Sequence, residues 1–178
     1  MTRLETHEFA VADTHGFQEI DNFAVRKTSD GLGWAHGFVS VQEEGPHERY
    51  FYARRDVLIC VVNHGILRGH LTINGRQHSM DGGPGTIAII PSGLAFGTKL
   101  ETTISSTHLY LRRSLIDQVA CKLYGEDSAR VDIPLCAAKY DPVLEHLCHA
   151  VRQTLDDPDD ADCAPYVEHL LKAIVAYL

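Results

Sequence analysis

The apolar residues of this 178-residue chain change period once, close to Arg113. Before it they come in short runs broken by turn chemistry, and after it they recur every three or four residues. That order predicts a strand-rich body followed by helices. The clearest strand is residues 57–62, where Val57, Leu58, Ile59, Cys60, Val61 and Val62 form an unbroken apolar run. Such a run fits a strand buried on both faces. Residues 66–73 follow, and Asn74-Gly75 is the strongest hairpin signal, because both central positions of that turn need positive φ. Residues 76–80 return, Asp81-Gly82-Gly83-Pro84-Gly85 turns again, and residues 86–90 make a further strand closed by Pro91-Ser92-Gly93. Strands are also predicted over 23–26, 34–41 and 108–111. Many short strands with frequent turns make a sandwich or barrel.

Three helices follow. Ser114 with Asp117 reads as a capping box ahead of Leu115, Ile116, Val119 and Leu123, and Tyr124-Gly125 stops that helix. Asp141-Pro142 reads as an N-cap with proline at the first helical position, leading a stripe of Val143, Leu144, Leu147, Val151 and Leu155. The acidic loop Asp156-Asp157-Pro158-Asp159-Asp160 breaks it. In the last helix Tyr166, Val167, Leu170, Leu171, Ile174, Val175 and Leu178 recur with no stop signal behind them, so the helix is expected to lead into a further part of the protein. The expected division is a barrel over 1–112 and a helical annex over 113–178.

A net charge of -8 argues against nucleic-acid binding by this segment itself. No apolar run is long enough for a signal peptide or a membrane span. The five cysteines form no C-x-x-C pair, which fits reduced thiols in a cytoplasmic protein better than a disulfide framework.

The order glycine, strand, Asn74-Gly75-Arg76, strand, Gly83-Pro84-Gly85, strand, Pro91-Ser92-Gly93 resembles a cupin core. More specifically, residues 20–178 resemble the N-terminal effector-binding and dimerisation region of bacterial AraC-family transcription regulators. Three features carry this: the hairpin followed by Pro84-Gly85-Thr86 and Ile89-Ile90-Pro91-Ser92-Gly93; Thr107-His108-Leu109-Tyr110-Leu111 running into a helix at Ser114; and Tyr140-Asp141-Pro142-Val143-Leu144 leading to the final helix. The resemblance implies a cupin-like double-stranded β-helix barrel with a helical dimerisation annex. It also implies a small-molecule effector, a homodimer, and promoter DNA reached only through helix-turn-helix units after Leu178.

Metal-binding cupins carry H-x-H, a glutamate, and P-x-G-x-x-H. Here Pro91-Ser92-Gly93-Leu94-Ala95-Phe96 puts phenylalanine where the last histidine belongs, and no H-x-H precedes it. No metal and no other cofactor is therefore expected, and His64, His70 and His78 read as partly exposed strand and turn residues. Candidate effector contacts are Trp34, His36 and Phe38 on one strand face, with Arg68, His70 and Phe96 from the hairpin region. Arg49-Tyr50-Phe51-Tyr52-Ala53-Arg54-Arg55 is basic and aromatic in an acidic chain, which makes Arg49 and Arg54 candidates for an anionic effector. The competing reading is an exposed strand whose arginines pair with Glu43, Glu44 or Glu48. No catalytic set is legible: Ser92 is not in a nucleophile elbow, and no cysteine has a basic, exposed setting. The annex residues expected to pair two chains are Leu144, Leu147, Val151, Leu155, Val167, Leu170, Leu171 and Ile174. The rival readings are a stand-alone cupin enzyme, a metal-dependent dioxygenase or isomerase, and a ligand-free scaffold. The effector (sugar, fatty or aromatic acid, cyclic dinucleotide, or none), the sign of regulation and the target genes are not legible.

Overall fold

The computed structural model describes residues 7–125, 131–156 and 163–178. Its strands are β1 (Phe23–Thr28), β2 (Gly37–Glu44), β3 (His47–Phe51), β4 (Val57–Gly65), β5 (Leu67–Ile73), β6 (Arg76–Gly82), β7 (Thr86–Ile90), β8 (Phe96–Leu100), β9 (Ile104–Leu111) and β10 (Cys136–Tyr140). The helices are α1 (Arg113–Tyr124), α2 (Pro142–Gln153) and α3 (Cys163–Tyr177). All strand pairs are antiparallel, in a six-stranded sheet ordered β1-β2-β9-β4-β7-β10 and a four-stranded sheet ordered β3-β8-β5-β6. The fold is mainly β with C-terminal helices, and the two sheets form the walls of a cupin-like barrel.

The six-stranded sheet is covered on both sides, which explains its apolar runs. Alternate side chains Leu58, Val62, Ile90, Phe38 and Tyr110 point inward and meet Phe51, Leu67, Leu71, Met80, Phe96 and Leu100 of the other sheet. The intervening residues Val57, Ile59, Val61, Ile87, Ile89, Val39, Leu109 and Leu111 face outward and pack under the three helices. The four-stranded sheet has one wet face, so β5 alternates: Leu67, Leu71 and Ile73 are buried, whereas Arg68 is exposed and His70 and Thr72 are half-buried.

Turn chemistry follows the sequence reading at the β5–β6 hairpin, where Asn74 has φ 50° and Gly75 φ 75°. Asp141 caps α2 through its side chain, accepting from the Leu144 N–H at 3.2 Å, with Pro142 at the first helical position. Gly125 ends α1, its N–H donating to the Cys121 carbonyl at 2.9 Å.

Several expectations are corrected. The N-cap of α1 is Arg112 and makes no side-chain cap bond. The orphan N–H of Arg113 is taken instead by Asp56 Oδ1, from the loop before β4, at 3.0 Å, and Asp117 pairs with Arg113 at 2.9 Å. The helix start is thus satisfied across the fold, which local sequence cannot show. Two strands escaped the reading: β8, which follows the Pro91-Ser92-Gly93 turn, and β10, which lies inside the expected helical annex yet pairs with β7. The exposed strand offered as the competing reading of residues 49–55 corresponds to the edge strand β3. The strand predicted over 34–41 runs over 37–44. Of the expected acidic loop only Asp156 lies within the described residues, where it forms an ion pair with Lys27.

A Cβ at Gly69 would sit 2.0 Å from the Lys99 carbonyl oxygen across the β5–β8 pair, and main chain cannot swing away as a side chain can. Gly69→Ala is expected to destabilise the barrel by about 1–3 kcal/mol. Asp56→Ala, which uncaps α1, is expected to lower stability by about 1 kcal/mol. Urea denaturation followed by circular dichroism measures both.

Candidate functional site

The inward face of β2 and β9 carries a run of polar side chains where most of the barrel interior is apolar. On β2 the period of two turns Ser40, Gln42 and Glu44 inward, and on β9 it turns Ser106, His108 and Tyr110 inward. The register sets Ser40 opposite His108 and Gln42 opposite Ser106, while Cys60 on β4 lies opposite His108 on its other side. His108 and Glu44 are 3% and 6% exposed. His108 Nε2 donates to Glu44 Oε1 at 3.0 Å, and Ser106 Oγ donates to the same oxygen. The Gln42 amide lies 3.0 Å from His108 Nδ1, and Ser40 Oγ reaches Gln42 Oε1 at 3.4 Å. A charged ring needs an acceptor at Nδ1, which the Gln42 carbonyl end supplies by a half-turn of its amide.

Burial alone would keep both groups neutral, so the contacts must hold the charge. Burial opposes the His108 cation, but Cys60 and the Glu44 carboxylate beside it outweigh that and raise the ring pKa to about 10. Burial likewise pushes Glu44 up, while His108 and Ser106 hold it below the ordinary carboxylate value. The result is an ion pair on the barrel wall.

Beside it lies a cavity of about 70 Å³, lined by His108, Glu44, Ser106, Cys60 and His47 and by apolar residues including Leu58, Leu71, Met80, Ile90 and Phe96. Phe17, from a short helical turn ahead of β1, packs edge-on against His108 with ring centroids 4.5 Å apart, and lies 4.4 Å from Phe51. The N-terminal stretch around it is tied down twice. The Arg112 guanidinium lies 4.3 Å over the Phe9 ring and bonds the Glu8 carbonyl and Asp13, immediately before α1. His15 sits against Phe51, Phe96 and Tyr110. The Tyr110 hydroxyl accepts from the His15 backbone N–H at 3.2 Å and donates to ring Nδ1 at 3.0 Å, so the ring is neutral with its proton on Nε2. That nitrogen is buried without a partner among the described residues. Burial, with Arg54 and His108 nearby, lowers the His15 pKa to about 4.

The residues singled out from the sequence are dispersed. Phe96 and Phe38 belong to the barrel interior, and Phe96 lines the cavity. Trp34 is buried on the opposite side of the six-stranded sheet, under the helices. His36 pairs there with Glu168 of α3 at 3.0 Å. Arg49 and His70 come together in a shallow groove on the outer face of the four-stranded sheet, and Arg68 and Arg54 are exposed. The expected partners of the arginines are otherwise engaged: Glu43 with Arg26, Glu44 with His108, and Glu48 with Lys99. Of the annex residues, Leu144, Val151, Leu155, Val167, Leu171 and Ile174 are buried in the chain's own core, while Leu147 and Leu170 are only partly covered. The six buried ones hold helices to sheet and offer no surface to a second chain.

Glu44, Gln42, Ser106, His108 and His15 were missed. The alternation Ser40-Gln42-Glu44 and Ser106-His108-Tyr110 carried the signal, but ending the strand at residue 41 hid it. Among the described residues no three His, Cys, Asp or Glu side chains are grouped to hold a metal ion, and no helix is long and apolar enough to cross a membrane. All five cysteines are unpaired, and burial pushes the Cys148 thiol up to about 12.

No protein-family model matches the sequence, and neither does any curated protein. Among solved structures, the AraC-like transcriptional activator CuxR superposes with a TM-score of 0.51 at 13% identity, covering 83% of this chain and 54% of that one. The chain therefore spans about half the length of that activator. The Clostridium difficile EutQ protein (TM-score 0.41, 15% identity, 50% of this chain and 61% of that one) is also similar. So is salicylate 1,2-dioxygenase from Pseudoaminobacter salicylatoxidans (TM-score 0.42, 13% identity, 52% and 25%). At these identities the likeness is one of fold.

Two pH limbs are expected. His15 takes protons in the unfolded chain before the folded one, so its share of stability is lost as pH falls from 6.5 to about 4. His108 holds its proton longer when folded, so its share is complete below 6.5 and lost as pH rises to about 10. Urea unfolding across pH is expected to show greatest stability near 6.5, with His15→Phe flattening the acid limb. His108→Leu leaves Glu44 buried and unpaired and is expected to remove about 3–5 kcal/mol at neutral pH.

Proposed function

We propose that the chain is the ligand-sensing and dimerising part of an AraC-type transcription regulator that works in the cytoplasm. Residues 1–112 form the effector-binding barrel, and residues 113–178 the annex that couples it to a second chain and to a DNA-reading unit elsewhere. The observation that carries this reading is an apolar barrel cavity with a buried ion pair on its wall, under a stretch of chain pinned by Arg112 to the start of α1. An occupant in contact with Phe17 bears on the stretch of chain whose Asp13 Arg112 holds, and α1 begins one residue after Arg112. A ligand controls such a pair of arrangements only by binding one more tightly than the other. The breadth of the superposition on the AraC-like activator, 83% of this chain, supports the assignment beyond the barrel.

Since the deeper stripe of each helix is spent on the chain's own core, the pairing surface is drawn from the outer residues. Val143 and Leu147 on α2 and Tyr166 and Leu170 on α3 are two apolar i, i+4 pairs left exposed or partly covered. Its net charge of -8 disfavours phosphate contact by the chain itself, so DNA is contacted through other parts of the protein.

Sedimentation equilibrium at micromolar concentrations is expected to show a dimer that Leu147→Glu with Leu170→Glu converts to monomer, and the chain is expected not to retard promoter DNA. A wild-type monomer at those concentrations contradicts the pairing role. In thermal-shift screening, an effector at a hundred times its dissociation constant adds about 2.7 kcal/mol. Stoichiometric iron, manganese or zinc in protein purified without chelator would favour a cupin enzyme instead.

A further inference from the structure

The polar groups around the barrel cavity are unequally committed. Both ring nitrogens of His108 are engaged, one by Glu44 at 3.0 Å and the other by Gln42 at 3.0 Å. Both ring nitrogens of His47 are engaged as well, by the Gly45 carbonyl at 2.9 Å and by Thr98 Oγ1 at 3.2 Å. The Ser106 hydroxyl hydrogen goes to Glu44 Oε1. Glu44 Oε2 takes no hydrogen bond from any described residue, although Glu44 lines the cavity. The strong donors on the β2–β9 wall are spoken for and a strong acceptor is not, while across the cavity the Thr86 hydroxyl donates to no described residue.

Charge is balanced in the same place. The carboxylate already has its imidazolium partner, so the pocket presents a neutral pair surrounded by Leu58, Leu71, Met80, Ile90, Phe96 and Leu100. A second full charge brought here would lose its hydration with no free counter-ion to replace it. A carboxylate would in addition face Glu44. Size bounds the occupant too: about 70 Å³ is roughly half of the ~150 Å³ apolar cavity that holds benzene. With Phe17 in place the cavity admits a molecule of a few heavy atoms.

We infer that the barrel takes a small uncharged molecule with an apolar body and one hydrogen-bond-donating head, an alcohol in class, whose hydroxyl hydrogen goes to Glu44 Oε2. This rests on the barrel being the sensing pocket, as proposed above, and narrows its ligand. Acids, amines and phosphorylated compounds are rejected by charge, and ketones are disfavoured because they leave Glu44 Oε2 unpaired.

The chain has two methionines, Met1 at the terminus and Met80 on the cavity wall, so methyl-labelled methionine gives one resonance that reports occupancy. Wild-type protein is titrated at pH 7 with 2-propanol, acetone, isopropylammonium and propionate. Saturable movement of the Met80 methyl is expected with 2-propanol, and binding at least about tenfold weaker with the other three. Acetone or propionate matching 2-propanol overturns the donor-head assignment while leaving a ligand in the barrel, so the sensing role survives. A Met80 resonance that none of the four moves overturns the assignment as well, and the sensing role is then judged by the broad thermal-shift screen. Glu44→Gln, whose amide can donate, is expected to raise acetone affinity relative to 2-propanol; should that variant not fold, the wild-type series decides alone.

Discussion

An imidazolium and a carboxylate inside an apolar barrel survive only by facing each other, and much of this chain's interior is arranged around that requirement. Born desolvation of either ion alone far exceeds what one hydrogen bond returns. The β2–β9 register therefore supplies a pair and then a shell: Ser106 on the carboxylate, Gln42 on the ring, and Ser40 behind Gln42. Two adjacent strands with side chains at period two can place all five groups on one wall. The opposite wall is mostly apolar, with His47 and Thr98 bonded to each other on it, so the cavity has a more polar side and a drier one. A purely hydrophobic barrel of the same volume would gain stability more simply, so stability alone does not account for the polar cluster.

The six-stranded sheet joins this interior to the helices because it is buried twice. Each of its central strands shows one set of residues to the cavity and the alternate set to α1, α2 and α3. Gly37 lets α3 come close: a Cβ there would meet Leu171 Cδ1 at 2.6 Å. Arg112 and Asp56 lie at the seam, one gripping the N-terminal stretch and the other capping α1. Phe17 follows four residues after Asp13, the side chain that Arg112 grips. β10 ties the region after α1 back into the same sheet, so barrel and annex share one structural body.

Legibility in the sequence followed the locality of the cause. The hairpin at Asn74-Gly75, the Asp141-Pro142 helix start and the Gly125 stop are decided by neighbouring residues and were read directly. The doubly buried character of β4 was visible in its unbroken apolar run. Causes lying far along the chain were invisible, such as Asp56 capping α1 across 57 residues. Edge strands β3 and β10 have little apolar signal because only one neighbour covers them. The candidate site was legible only through Phe96 and Phe38. His108 and Glu44 lie 64 residues apart and become a pair only once register is known. The helical stripes were read in the right period, though Leu123, Val143 and Tyr166 on them are exposed, and a stripe has no way to announce whether its own sheet or another chain covers it.

The most direct measurement is the ionisation of His108, followed by ¹⁵N chemical shifts of the imidazole across pH. A ring held by Glu44 and Gln42 keeps protons on both nitrogens at neutral pH and titrates near 10. A ring that loses its proton at the ordinary value of 6.5 would mean that no ion pair exists there, and the account of the cavity built on it would fail.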